Sequence, residues 1–364
     1  MNGLRAVVVC LVLACAAVVS PSFAAPSSAT APRAEAARPR WSALPVPPAS
    51  ALVTVSDLGA RGPDEAWASG YEHAADGLRP MLYRWDGTEW SRDTAFPGAA
   101  GLGWLGKVQF VGDEVWILHD HEGTGQILRR SADGWSALPL PRTLRTYQDF
   151  AAVQGAAWVV GEDDTGLKVL RHDGSGWAEQ PTPDGVHFLM GITARTPDEA
   201  WAWADAAEGT MVLRWDGTAW RDAKVPLPPN SNMHTILVEP SGRVTIGGSQ
   251  YGDGAPRTYL MTWSGRAGDD WRTTYPPLGD TYTEAIARGP DGALWLPVRS
   301  DRAFQSKYAR IDGSRTTFSY GPTRANAIDV KPRALARAGS ALLSFGTAEI
   351  YGSKPNVMSE RLGG

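Results

Sequence analysis

PDEAW at Pro63–Trp67 leads to RWDGTEW at Arg84–Trp90, and the pair returns as PDEAW at Pro197–Trp201 and RWDGTAW at Arg214–Trp220. Each copy spells two tight turns and the strands they join. Asp-Gly between alternating segments is a strong hairpin signal, because both residues tolerate the positive φ of a primed turn. Pro-Asp-Glu supplies the other turn, its proline presetting φ at the first corner. Around these turns runs a fixed order: an apolar segment, a turn, an alternating segment with Trp, and a polar loop. A segment ending near Asp-Gly follows, then a last one that opens with Trp and closes with Pro. Each unit therefore holds four antiparallel strands.

Weaker copies fill the rest of the chain, giving units at 51–98, 104–141, 147–183, 187–228, 233–277 and 282–320. The second has GDEVW at Gly112–Trp116 and DGW at Asp133–Trp135; the third has Trp158 and DGSGW at Asp173–Trp177. The fifth keeps Trp263 and Trp271 but has Thr245 where the second-strand Trp belongs. The sixth keeps Trp295 and Asp312-Gly313, with Phe318 near the last Trp position. A seventh starts near Val330 and stops one strand short. The missing strand lies at the other end, because WSALPVP at Trp41–Pro47 matches WSALPLP at Trp135–Pro141, a fourth strand, at six of seven positions.

This predicts an all-β fold over 41–364: a seven-bladed β-propeller of four-stranded antiparallel blades, its last blade closed by the N-terminal strand in a 3+1 arrangement. The repeat averages about 46 residues, within the usual range for blades. Closure also removes the free strand edges of an open array.

Residues 1–24 form the pattern of a secretory signal peptide: one charge at Arg5, an apolar run from Ala6 to Val19, then Ser22-Phe23-Ala24. The run is too short to span a bilayer. Both cysteines, Cys10 and Cys15, lie inside it, and Val12-Leu13-Ala14-Cys15 leaves lipidation at Cys15 as a minor alternative. Residues 25–40, rich in Ala and Pro, read as a disordered spacer. After cleavage the chain has no thiol, so neither a disulfide nor a cysteine metal ligand is available. The net charge of −4 becomes −5 when Arg5 is removed, which argues against nucleic acid and anionic membranes as partners. A secreted monomer with no membrane span is expected.

Sixteen tryptophans suggest sugar stacking, but most recur at fixed positions of the unit and read as inter-blade packing. Trp203 shares a strand face with Trp201 and reads as core, whereas Trp104 opens a first strand at the mouth of the ring. The acidic pairs Asp64-Glu65, Asp113-Glu114 and Asp198-Glu199 occupy one turn in three blades, so they are assigned to the turn rather than to acid–base catalysis. Function is sought where the repeat is interrupted, on the loops entering first strands and joining second to third. Trp104, Tyr147, Asp149, His187, His234, Tyr282, Glu284 and Arg324 are the candidate ligand-binding residues there, with His73 and His121 on the same rim. A metal among these histidines and carboxylates is weakly supported. His119 and His121 alternate on one strand without a third ligand, so neither metal nor cofactor is expected.

The W-D-G-T-x-W blades resemble those of secreted kelch- and Asp-box-like propeller repeat proteins of actinobacteria, over essentially all of 41–364. There are departures. Here Trp-Asp precedes a hairpin Gly rather than ending a blade as in WD40 repeats. The kelch Gly-Gly is matched only at Gly247-Gly248, and Asp adjoins Gly where sialidase Asp-boxes separate them. The copper-radical oxidases of this fold need a cysteine. The resemblance implies the fold and leaves activity open. The expected function is non-enzymatic recognition of an extracellular glycan or protein through the loop face. One alternative is a polysaccharide lyase or glycosidase pairing Tyr147 or Tyr282 with His187 or His234. Another is a structural envelope protein.

Overall fold

The computed structural model describes residues 40–141, 144–252, 254–279 and 285–363. The leader and spacer expectations, together with Tyr282 and Glu284, lie outside them. Seven four-stranded antiparallel sheets follow one another along the chain. Blade 1 occupies 52–92, blade 2 103–139, blade 3 146–179, blade 4 186–222, blade 5 231–274 and blade 6 287–320. Blade 7 is formed by Ala327–Ala338, Ala341–Ile350 and Asn356–Leu362, closed by Trp41–Leu44 on its outer edge. The architecture is the seven-bladed propeller expected from the repeat, with its 3+1 closure.

The closing strand pairs Trp41 with Leu362 and Leu44 with Ser359. Trp41 stacks on Tyr308 of blade 6 at 3.8 Å, meets Trp295 edge-on at 6.0 Å and donates from Nε1 to Ser319 Oγ at 3.0 Å. One residue thus ties the N-terminal strand to the neighbouring blade as well as to its own.

The Asp-Gly turns work as their chemistry demands. Asp86 Oδ1 accepts from Thr88 N, Thr88 Oγ1 and Glu89 N, while Gly87 adopts a φ of +100°. These donors hold the Asp86 carboxyl down at about 2. Asp216 is capped the same way by Thr218 and Ala219. This is why the motif reads Asp-Gly-Thr: the threonine supplies two of the three donors.

Blades pack through a repeated seam. A second-strand Trp lies across from a third-strand Arg of its own sheet: Trp67 with Arg84, Trp116 with Arg129, Trp158 with Arg171, Trp201 with Arg214. The guanidiniums sit 5.7, 4.6, 5.6 and 5.3 Å from the ring centres. The next blade contributes its fourth-strand Trp, so that Trp67 meets Trp135 at 5.5 Å and Trp201 meets Trp271 at 6.5 Å. The glutamates of the acidic pairs do more than turn the chain. Glu114 accepts from Trp116 Nε1 at 2.7 Å and from Arg129, and Glu199 accepts from Trp201 Nε1 at 3.2 Å and from Arg195. A buried indole N–H needs an acceptor, and the residue two positions back on the same strand face provides it.

Candidate functional site at the central channel

The first strand of each blade faces the propeller axis, and in six blades its pairing is broken by a bulge. Register shifts fall between Val55 and Asp57, Leu105 and Val108, Tyr147 and Asp149, Leu189 and Gly191, Met233 and Thr235, and Pro332 and Ala334. In blade 6 the residues just before Ala285 lie outside the described set. A bulge places an extra residue against one partner and re-aims its side chain. The residues so displaced, Ser56, Gly106, Lys107, Gln148, Met190, His234 and Arg333, all line one axial cavity of about 730 Å³. The channel wall is a ring of bulges.

Four of these bulges face a glycine three positions after the second-strand Trp or its equivalent: Gly70, Gly161, Gly248 and Gly346. At Gly70 an added Cβ would lie 2.1 Å from the Thr54 carbonyl oxygen. The bulged strand pushes its backbone into the space a side chain would need. Blade 2 has His119 at this position, and there the bulge takes up two residues, Gly106 and Lys107. His119 is fully buried, accepts at Nδ1 from Gln126 Nε2 at 3.0 Å, and lies 5.5 Å from His121. Burial, with His121 beside it, pushes its pKa down to about 3.

Charged groups on the wall are tied across blades. Asp57 Oδ2 accepts from Val108 N of blade 2 at 2.9 Å, and Asp149 Oδ2 accepts from Ile192 N of blade 4 at 2.9 Å. Lys107 reaches over blade 3, donating to Asp149 Oδ2 at 2.6 Å and to the Ile192 carbonyl at 2.5 Å. Desolvation raises the Asp57 carboxyl; the Val108 N–H and Lys107 oppose it only in part.

Two indoles complete the wall. Trp104 folds over Gly106, where an added Cβ would come within 3.0 Å of its ring. Trp203 lies over its cross-strand partner Gly191, where the same atom would meet the ring at 2.0 Å. Trp203 therefore has two faces of use: it packs against the Trp201 cluster and also lines the channel.

The residues picked from sequence are placed unequally. Trp104, Asp149 and His234 line the channel, with His234 Nε2 at 3.1 Å from Ser249 Oγ. Tyr147 is 8 % exposed; its hydroxyl accepts from Gly125 N at 2.7 Å and donates to the Leu144 carbonyl, and burial raises its pKa. It holds blade 3 to blade 2. Arg324 pairs with the fully buried Glu360, which also accepts from Ser306 Oγ at 2.5 Å and Tyr308 at 2.8 Å. That cluster lies between blades 6 and 7. His187 is exposed on the first strand of blade 4, at a second shift between Val186 and Phe188, away from the channel lining. His73 binds Thr54 Oγ1 at 2.9 Å on the rim. Asp57, Lys107, Met190 and Arg333 were not singled out from sequence, and Trp203 was read there as core alone, because alternation does not mark a bulge. Among the described residues no three His, Cys, Asp or Glu side chains converge as a metal ion would require, and no helix is long and apolar enough to cross a membrane.

Comparison with known proteins extends the fold and nothing else. No family model matches the chain, and no curated protein matches it. Among solved structures it is similar to the RRP9 WD40 repeats, with TM-score 0.58 and 10 % identity over 90 % of this chain and 99 % of that one. An oligogalacturonate lyase in complex with manganese superposes with TM-score 0.58 at 12 % identity, covering 83 % and 86 %. The β-propeller domain of the Trilobed protease from Pyrococcus furiosus gives TM-score 0.53 at 8 % identity, covering 85 % and 93 %. That domain is described as having an open velcro topology; here the N-terminal strand closes blade 7.

Proposed function

We propose that the chain is an exported, non-enzymatic binding propeller that takes a glycan into the mouth of the central channel. The observation that carries this reading is the pairing of two indoles, Trp104 and Trp203, with neutral hydrogen-bonding groups on one axial wall, among them Ser56, Gln148 and Thr193. Sugar rings present C–H faces that pack on indoles and hydroxyls that need donors and acceptors together, which is the mixture found here. Asp57 and Asp149 are engaged by backbone N–H groups and Lys107, so they serve as oriented acceptors rather than loose charges. The leader pattern at 1–24 belongs to the same reading, since a glycan of the cell exterior requires export; cell fractionation with an N-terminal sequence of the recovered protein tests it.

A glycan array read by thermal shift, with and without EDTA, is the direct experiment. A saturable shift that disappears in Trp104→Ala supports the proposal. No shift with any glycan, alongside binding to an extracellular protein, would replace the sugar by a protein partner. One observation favours the enzymatic alternative: the Asp57 carboxyl on the channel wall is raised by burial, as a general acid requires. Polysaccharide turnover that is lost in Asp57→Asn would overturn the binding reading.

A further inference from the structure

The seam between blades 4 and 5 is not closed as the seam between blades 3 and 4 is. Blades 1, 4 and 5 each end the third strand on a Trp that meets another at the start of the fourth: Trp85 with Trp90, Trp215 with Trp220, and Trp263 with Trp271. The first two pairs are 2–4 % exposed, whereas Trp263 and Trp271 are only partly buried. The difference lies in the turn between them. It spans 86–89 in blade 1 and 216–219 in blade 4, each capped by its own aspartate, but 264–270 in blade 5, where Asp-Gly-Thr is missing. The short turn pins its two indoles against the seam; the longer one leaves theirs partly open. Trp85 and Trp215 donate from Nε1 to the carbonyls of Pro63 and Pro197 at 3.0 and 3.2 Å, while Trp263 and Trp271 have no such acceptor among the described residues.

A pocket of about 360 Å³ opens here, at the low end of the roughly 300–1,000 Å³ of small-molecule sites. Three of its walls are indoles. Trp263 and Trp271 lie 6.1 Å apart at 26°, and Trp201 stands across them at 6.0 and 6.5 Å, inclined by 57° and 80°. Blade 4 supplies the charged groups, Arg214, Asp216, Arg221 and Asp222. No residue is shared with the axial channel.

The charges decide the class of guest. Two guanidiniums and two carboxylates leave the lining with no net charge. Asp216 Oδ2 accepts from Arg221 Nε at 2.5 Å, and Asp222 pairs with Lys224 at 2.7 Å. An ion would have to break one of these pairs before making its own. A cation meets a further obstacle, since the Arg214 guanidinium already lies 5.3 Å from the Trp201 ring centre and 5.7 Å from that of Trp263. The pocket therefore suits a guest with apolar faces for the indoles and groups that donate and accept at once. Hydroxyls on a saturated ring meet both conditions, because each can give its proton to a carboxylate and take one from a guanidinium.

We propose that this pocket is a second sugar-binding site, taking a single neutral pyranose ring with a C–H face against the indoles and hydroxyls shared between Asp222 and the two arginines. It lies where third and fourth strands join, at the other end of the strands from the loops that join second to third. The site does not rest on the channel reading and does not need a ligand there.

The test is calorimetric titration of the full-length protein with the methyl glycosides of glucose, galactose, mannose and fucose, with tetramethylammonium and glucuronate as charged probes. Saturable binding of at least one neutral glycoside is expected. Trp271→Ala should abolish it. Asp222→Asn, which keeps the shape of its turn, should weaken it at least about tenfold with little change in melting temperature. Binding that is lost in Trp104→Ala but kept in Asp222→Asn belongs to the axial channel; it overturns the proposal and upholds the channel reading. Tighter binding of tetramethylammonium or glucuronate than of every neutral glycoside overturns it too, and so does no saturable binding by any of these probes. Neither of those two results bears on a glycan in the channel, which Trp104→Ala reports separately.

Discussion

The seam between blades 4 and 5 and the wall of the axial channel are built from the same sheets but obey different rules. In the seam, Trp201, Arg214 and Trp271 follow strand alternation, so each side chain faces the position that a period of two assigns it. On the channel wall the pairing slips by one residue at Met190, and Gly191 opposite Trp203 gives up its side chain so that the indole can lie over it. Regularity makes the ring; interruption makes the cavity. A repeat packs the blades by giving most of them the same groups at the same register, as Trp67, Trp116, Trp158 and Trp201 show. A binding wall needs each blade to contribute something different, and the displaced residues, from Ser56 to Arg333, are all of different kinds.

Breaking the ring should have the largest effect. Deleting residues 38–48 removes the closing strand with Trp41, which is 6 % exposed, and leaves blade 7 with an open edge. The loss should be at least the roughly 3–5 kcal/mol of one buried Trp, seen as a large fall in melting temperature or as aggregation. A truncated protein that melts like the intact one would show that closure contributes little.

Next comes the contrast between seams. Trp201→Ala should destabilise by about 3–5 kcal/mol, whereas Thr245→Val, which removes an unpartnered buried hydroxyl, should be neutral or slightly stabilising. Denaturant titration of the two variants measures both, and equal losses would erase the distinction drawn between the seams.

On the channel side, Gly191→Ala forces the Trp203 ring to move, because the new methyl would lie 2.0 Å from it. Overpacking of this kind costs about 1–3 kcal/mol, and affinity for any ligand of the channel should fall with it. Arg333→Ala tests the channel wall more gently, with a smaller change in stability expected than for Trp201→Ala.

His119 sits where the two kinds of wall meet, at a position that holds glycine in four other blades. Its folded pKa of about 3 lies below the ordinary value of 6.5, so the unfolded chain takes up the proton first. Stability should therefore be independent of this residue above about pH 6.5 and decline as pH falls from there toward 3. His119→Gln should flatten that part of a melting-temperature profile; an unchanged slope would assign the acid sensitivity to other groups.

The repeat was readable because hairpin turns and inter-blade packing are local in sequence. Asp86-Gly87-Thr88 carries its own hydrogen bonds, and the match of Trp41–Pro47 to Trp135–Pro141 was enough to place the closing strand. The site was less readable. Trp104, Asp149 and His234 line the channel, but Tyr147 and Arg324 are engaged at blade interfaces, since polarity near a rim does not tell a lining side chain from one satisfied by the next blade. One signal was present and unused: the glycine three residues after the second-strand Trp, as in Trp67 to Gly70 and Trp158 to Gly161, marks where a bulged strand comes too close for a side chain. Sequence alone thus determined the number of blades, their strand order and how the ring closes, because these follow from turn chemistry and a period of two. The tertiary structure alone decided which side chains meet on the axis. It depends on contacts between strands that alternation leaves unspecified: a slip in pairing re-aims a side chain in each bulged blade, and nothing in a period of two marks where it falls.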